Sequence, residues 1–192
     1  MTSTPAARSS AGPVPSGASD APPPVLVETL LLRHDAAEGF AYRRLITALG
    51  RGARPDGAAR RLAGLSEGDE RHLVHSTSWR ATDDGSIVLT YLVHPDPAPG
   101  LPATPLPDPR ALACSPKAGH PSPPDLKPHH VAAHAVRHLA FLARTDPVVA
   151  AHLASPGGPR KPPGGAFDRA LGGALDGLPG SAAGQLRRVQ GS

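Results

Sequence analysis

The sequence predicts an α+β fold: a small antiparallel sheet, made of one buried N-terminal strand plus a β-hairpin, packed on two to four helices, with long disordered tails and a Pro-rich loop. Three observations predict it. Residues 25–34 form a near-continuous apolar run of strand length. Residues 72–94 hold two runs rich in Val, Ile, Thr, Tyr and Trp around Asp84-Gly85, a turn pair. Residues 129–144 place Val131, Ala132, Ala135, Val136, Leu139 and Leu142 at helical spacing.

Composition bounds how much of the chain can fold. Of 192 residues, 25 are Pro and 21 are Gly. Leu, Ile, Val and Phe make up about a fifth, the border below which a chain cannot bury a core along its whole length. The expected organisation is a disordered tail over 1–24, one small α+β domain over 25–154, and a second disordered tail over 155–192. The domain is interrupted by a Pro-rich loop at 95–128, which holds 12 Pro. Pro removes amide donors and Gly raises the entropy cost of ordering, so these segments repay folding poorly.

Within the domain, the near-continuous apolarity of 25–34 suggests a strand buried on both faces. Residues 38–49 read as a helix with Phe40, Ala41, Leu45, Ala48 and Leu49 near one face and Arg43 and Arg44 near the other, stopped by Gly50 and Gly52. A shorter helix starts at Asp56 as N-cap and runs to about Leu65. In the hairpin, a two-residue loop at Asp84-Gly85 would pair Trp79 with Thr90, Thr77 with Leu92 and His75 with His94 on one side of the ribbon. A three-residue loop would separate the two histidines. Pro128 suits the start of the late helix, and Asp146-Pro147 resets it into a short helix over 147–153. The helices are expected on one face of the sheet.

The net charge of +4 is modest, and the Arg are spread from Arg8 to Arg188 rather than gathered. With 3 Phe, 2 Tyr and 1 Trp, stacking platforms for single strands are missing, so nucleic acid is a minor reading that would rest on Arg43, Arg44, Arg60 and Arg61. One cysteine, Cys114, forms no internal disulfide, and the first 24 residues lack a charged start followed by an apolar core. No run reaches membrane-spanning length. These points place the protein in the cytoplasm as a soluble chain. A strand 25–32 left at a sheet edge would make a homodimer.

Histidine is the chemically pointed feature, with 10 in the chain. His130, His134 and His138 recur every four residues and form one stripe on a helix. Two histidines at such spacing can share a transition metal, and His75 and His94 could complete a zinc, iron or nickel site, as in a metal-dependent hydrolase or oxygenase. The Glu that follows the first His in metalloproteases is absent, so the simpler reading of the same stripe is a polar shoulder of an amphipathic helix. The tripeptide His75-Ser76-Thr77 resembles one of the two His-x-Thr copies of two-histidine phosphoesterases, but His94 is followed by Pro95 and no second copy exists. Cys114 has no base near it in sequence, and no nucleophile elbow or carboxylate dyad occurs.

A single Trp by default anchors its sheet. In the alternative, His75, Thr77, Trp79 and Arg80 line a shallow pocket, with the helical histidines opposite, suited to a small anionic or aromatic ligand. The leading expectation is therefore a non-catalytic domain that binds a protein or small-molecule partner. The metal-dependent enzyme is the alternative, and a nucleic-acid accessory protein the weaker one.

Overall fold

Residues 22–35, 37–117, 123–154 and 166–174 are described by a computed structural model. The apolar run becomes β1 (Val25–Asp35), whose two edges are both paired because it lies in the middle of a sheet and whose two faces are both buried under helices. Asp35 then turns the chain by accepting the amide protons of Ala37 and Glu38 on its Oδ1, and Gly39, at φ 79°, supplies the left-handed step that a side chain would resist. The chain returns antiparallel as β2 (Gly39–Ala48), with Leu32 opposite Tyr42 and Leu30 opposite Arg44.

This overturns the helix expected over 38–49. The same apolar residues fit a two-residue period: Phe40 and Tyr42 are buried on one face, while Ala41, Arg43 and Leu45 lie on the other. Strand formation won because it pairs ten residues of β1 and brings Arg43 and Arg44 to buried carboxylates, gains that no helical propensity of this segment matches.

Helix α1 (Pro55–Ala63) follows, with Pro55 in its first turn and Gly64, at φ 74°, closing it by donating to the Arg60 and Arg61 carbonyls. Arg54 occupies the cap and Asp56 sits in the first turn, beside the amide end of the helix dipole, so Asp56 is not the N-cap that the sequence suggested. Strands β3 (Leu73–Ala81) and β4 (Ile87–His94) form the hairpin. Its loop has three residues, since Thr82 donates to the Ser86 carbonyl at 2.9 Å and Gly85 to the Thr82 carbonyl at 2.9 Å.

Trp79 therefore faces Leu89, and a bulge at Thr77 shifts the register again, so that His75 faces Leu92 and Leu73 faces His94. The expected pairing of His75 with His94 does not form.

The sheet has five strands in the order β3-β4-β1-β2-β5, where β5 is Thr104–Leu106. It is mixed rather than antiparallel, because β1 runs parallel to β4. Two corrections follow. The strand 25–32 is central and offers no free edge for a dimer, and the Pro-rich stretch is not a loose loop throughout. Its start is pinned where the Asp96 amide donates to the Leu32 carbonyl, and Leu106 of β5 is buried beside Phe40.

Helices α2 (Pro128–Thr145), α3 (Pro147–Ala154) and α4 (Ala166–Ala174) pack on one face, over Leu30, Leu32, Phe40, Tyr42 and Leu92. The α1 helix takes the other face, over Val27, Leu31 and Val93. Helices on both faces correct the expected one-sided cover. They follow from β1 being apolar on both sides, since each face needs its own partner. The α4 helix also falls inside the tail expected to be disordered, and its Leu171 and Ala174 join the core. Residues 1–21 of the N-terminal tail, and 155–165 and 175–192 of the C-terminal tail, lie outside the described residues. No helix among the described residues is long and apolar enough to cross a membrane.

Candidate functional site

The face of the sheet under α2 carries a carboxylate where the pattern asks for a hydrophobe. Glu28 lies between Leu26 and Leu30 on this face of β1 and is 0% exposed. A buried carboxylate survives only with strong partners. Arg80 of β3 supplies two, from Nη1 to Oε2 at 2.7 Å and from Nη2 to Oε1 at 3.0 Å. Arg44 of β2 donates from Nε to Oε1 at 2.6 Å, and the Thr90 hydroxyl of β4 donates to Oε2 at 2.8 Å. Burial pushes the Glu28 carboxyl up, but Arg80, Arg44 and Thr90 together outweigh it and hold it below the usual carboxylate range. The site therefore carries one negative and two positive charges.

Beside this triad runs a cleft of about 280 Å³ between β3, the Pro-rich stretch and the first turns of α2. Ser78, Trp79 and Arg80 form its strand wall. Leu112, Cys114 and Leu126 come from the Pro-rich stretch, and His130, Val131 and His134 from α2. Trp79 is 58% exposed, so the chain's one Trp borders the cleft and does not anchor the core. Arg80, one of the residues expected to line a pocket, does so while its guanidinium is drawn inward onto Glu28.

The helical stripe brings three of the predicted histidines to the bulged strand. The His75 ring lies 5.2 Å from that of His138, and His138 lies 6.4 Å from His134. Because a carbonyl only accepts, the 2.8 Å contact between His75 Nδ1 and the Ser76 oxygen places the His75 proton on Nδ1. His134 Nε2 likewise donates to the Thr77 carbonyl at 3.4 Å, which ties α2 to the bulge. Burial, with His75 and His134 beside it, holds His138 below the usual imidazole range.

The other two predicted histidines lie apart. His130 pairs with His129 at 4.1 Å and accepts the Lys127 amide on Nδ1. His94 is 3% exposed, and its imidazole is pushed down to about 3 by burial and by His152, His34 and His72. The five candidates thus fall into three groups. Among the described residues, no group of three or more His, Cys, Asp or Glu side chains is placed to hold a metal ion.

Three of the four Arg considered for nucleic acid are engaged inside the protein. Arg43 binds Asp96, Arg44 binds Glu28, and Arg60 donates to the Asp69 carbonyl.

Sequence reasoning missed Glu28, Arg44 and Thr90. The signal was present, since one Glu interrupts an otherwise apolar β1 run and a buried acid requires a base across the sheet. It was unreadable while 38–49 was taken for a helix. Fold and cleft define the class: a mixed α+β protein with a polar inclusion in its sheet and an apolar-walled hollow beside it. No protein-family model, curated protein or solved structure matches the chain, so its own geometry is the only guide.

Proposed function

We propose that the protein is a non-catalytic domain that binds a small molecule in the cleft between β3, the Pro-rich stretch and α2. The observation that carries the reading is the meeting of apolar Leu112, Leu126 and Val131 with Arg80, His130 and His134 in one hollow. Ligand sites are generally concave, mostly apolar and marked by a few convergent polar groups. A volume of about 280 Å³ sits at the small end of such sites. A wider hollow of 520 Å³ by α4 mixes Glu38 and Asp108 with Arg110 and lacks a comparable apolar wall. Its opposed charges favour solvent over an organic ligand.

The test is a fragment screen on the full chain, followed by two-dimensional NMR. Binders should shift the Trp79 indole and the amides of Cys114, His130 and His134 together. A screen whose binders all map elsewhere, or that finds none, sinks the proposal.

A metal-dependent enzyme is the second reading, favoured by the approach of His75, His134 and His138. It is weaker because, among the described residues, these three rings and their neighbours are not placed to hold a metal ion together. Stoichiometric metal in protein purified without chelator, lost in both His134→Ala and His138→Ala, would promote it over the first.

A further inference from the structure

Resting on the cleft being a ligand site, we infer that its ligand is a small amphiphilic anion. The best fit is a carboxylate on an apolar body of roughly ten non-hydrogen atoms, given the size of the hollow. Three independent features point this way.

The first is charge. Glu28 is buried and ionised, and one carboxylate cannot balance both Arg44 and Arg80. The cluster beside the cleft therefore carries a net positive charge, with Arg80 on the cleft wall and Arg44 across β1 on β2. Among the described lining residues there is no Asp or Glu, so nothing on the walls offsets it.

The second is hydrogen-bond direction. Arg80 spends three N–H groups on Glu28 and Thr90 and retains two of its five. His130 accepts the Lys127 amide on Nδ1, which leaves its proton on Nε2 as a further donor. The Arg80 and His130 donors are the complement of a carboxylate, and they outnumber the acceptor that His134 presents on Nδ1 while its Nε2 bonds Thr77.

The third is the opposite wall. Leu112, Leu126 and Val131 offer hydrocarbon and no polar side-chain atom, so a bare inorganic anion would leave half of the hollow unused. A cation would meet the net positive charge of the Arg44, Glu28 and Arg80 cluster. A neutral alcohol would fill the apolar wall and leave the donors poorly matched.

Calorimetry with octanoate, octanol and octylamine separates these cases, since the three share a body and differ in head group. Octanoate should bind one to one and at least tenfold more tightly than octanol, with octylamine weakest. The Cys114→Asp variant places a carboxylate at the cleft on an exposed residue, so no packing is lost. It should weaken octanoate about fivefold and strengthen octylamine. His130→Leu, which removes a donor, should weaken octanoate more than octanol, because the donor is worth more to a charged acceptor.

Equal binding of all three compounds, or tightest binding of octylamine, overturns the anion while leaving the cleft as a ligand site. Octanoate binding unmoved by both substitutions places it elsewhere and also overturns the inference. If none of the three binds and the fragment screen leaves the cleft empty, the ligand-site reading and the inference fall together.

Discussion

The two faces of the sheet solve the same burial problem with different chemistry. Under α1, Val27, Leu31 and Val93 meet Ala58, Ala59 and Ala63 in an apolar contact, and the charge on this side is the simple pair of Arg43 with Asp96. Under α2, hydrophobic packing around Leu30, Leu92, Val136 and Leu139 continues into the Glu28 charge cluster and then into the His75 and His138 pair. Apolar contact tolerates no specific partner, whereas a buried carboxylate demands one on each neighbouring strand. The α1 face serves stability. The α2 face contributes stability too, but also holds a three-membered charge cluster and a hollow that stability alone does not require.

The sharpest way to break this contrast is to remove the carboxylate. Glu28→Ala leaves the Arg44 and Arg80 guanidiniums facing each other without their shared partner, and should cost about 3 to 5 kcal/mol in urea unfolding. A Glu28→Leu, Arg80→Leu double variant should recover part of that loss, because it removes the more deeply buried Arg80 charge and leaves only Arg44, whose side chain is 34% exposed, without its partner. A double variant as unstable as the single one would mean that the triad is stabilising in itself.

Leu31→Ala is the matching change on the α1 face. Its side chain is 0% exposed, and its loss should cost about 2 to 4 kcal/mol through transfer and cavity terms. The NMR signals of Trp79, His130 and His134 should stay in place. Shifts at the cleft would show that the two faces are coupled and that the contrast is false.

Acid should act on the α2 face with a smaller effect. His94 is held at about 3 in the fold, below its ordinary 6.5, so the unfolded chain binds a proton that the folded one refuses. Stability is therefore full above pH 6.5 and falls as the pH drops from 6.5 towards 3. The loss from this group alone is about 2 kcal/mol by pH 5. Depressed His34, His138 and His152 add in the same direction. Urea unfolding at pH 7 and pH 5 should differ by less in His94→Phe than in the wild type. An unchanged difference would remove His94 as a source of the acid sensitivity.

Much of the architecture was legible in the chain. The β1 run, the hairpin, α2 and α3 follow from local pattern, with Pro128 and Pro147 marking the two helix starts. The reading failed where one pattern served two periods. Phe40, Ala41, Leu45 and Ala48 suit a helical face as well as a strand, and only β1 lying alongside decided between them. Gly85 announced a turn, but whether it closed two residues or three depended on its left-handed φ of 83° and on the Thr82 to Ser86 bond. Of the cleft, Trp79, Arg80, His130 and His134 were legible as candidates. The hydrocarbon wall at Leu112 and Leu126 was hidden in a Pro-rich stretch whose composition argued against order.

The sequence by itself determined the mixed α+β class, the buried first strand, the hairpin and the amphipathic late helix. Each is written in the spacing of neighbouring residues, and spacing acts over a few residues at a time. Tertiary structure decided the strand fate of 39–48, the parallel pairing of β1 with β4, the hairpin register and the meeting of Glu28 with Arg44 and Arg80. Those choices join residues 16 and 52 positions apart in the chain, and their free energy exists only when distant strands lie side by side in one register.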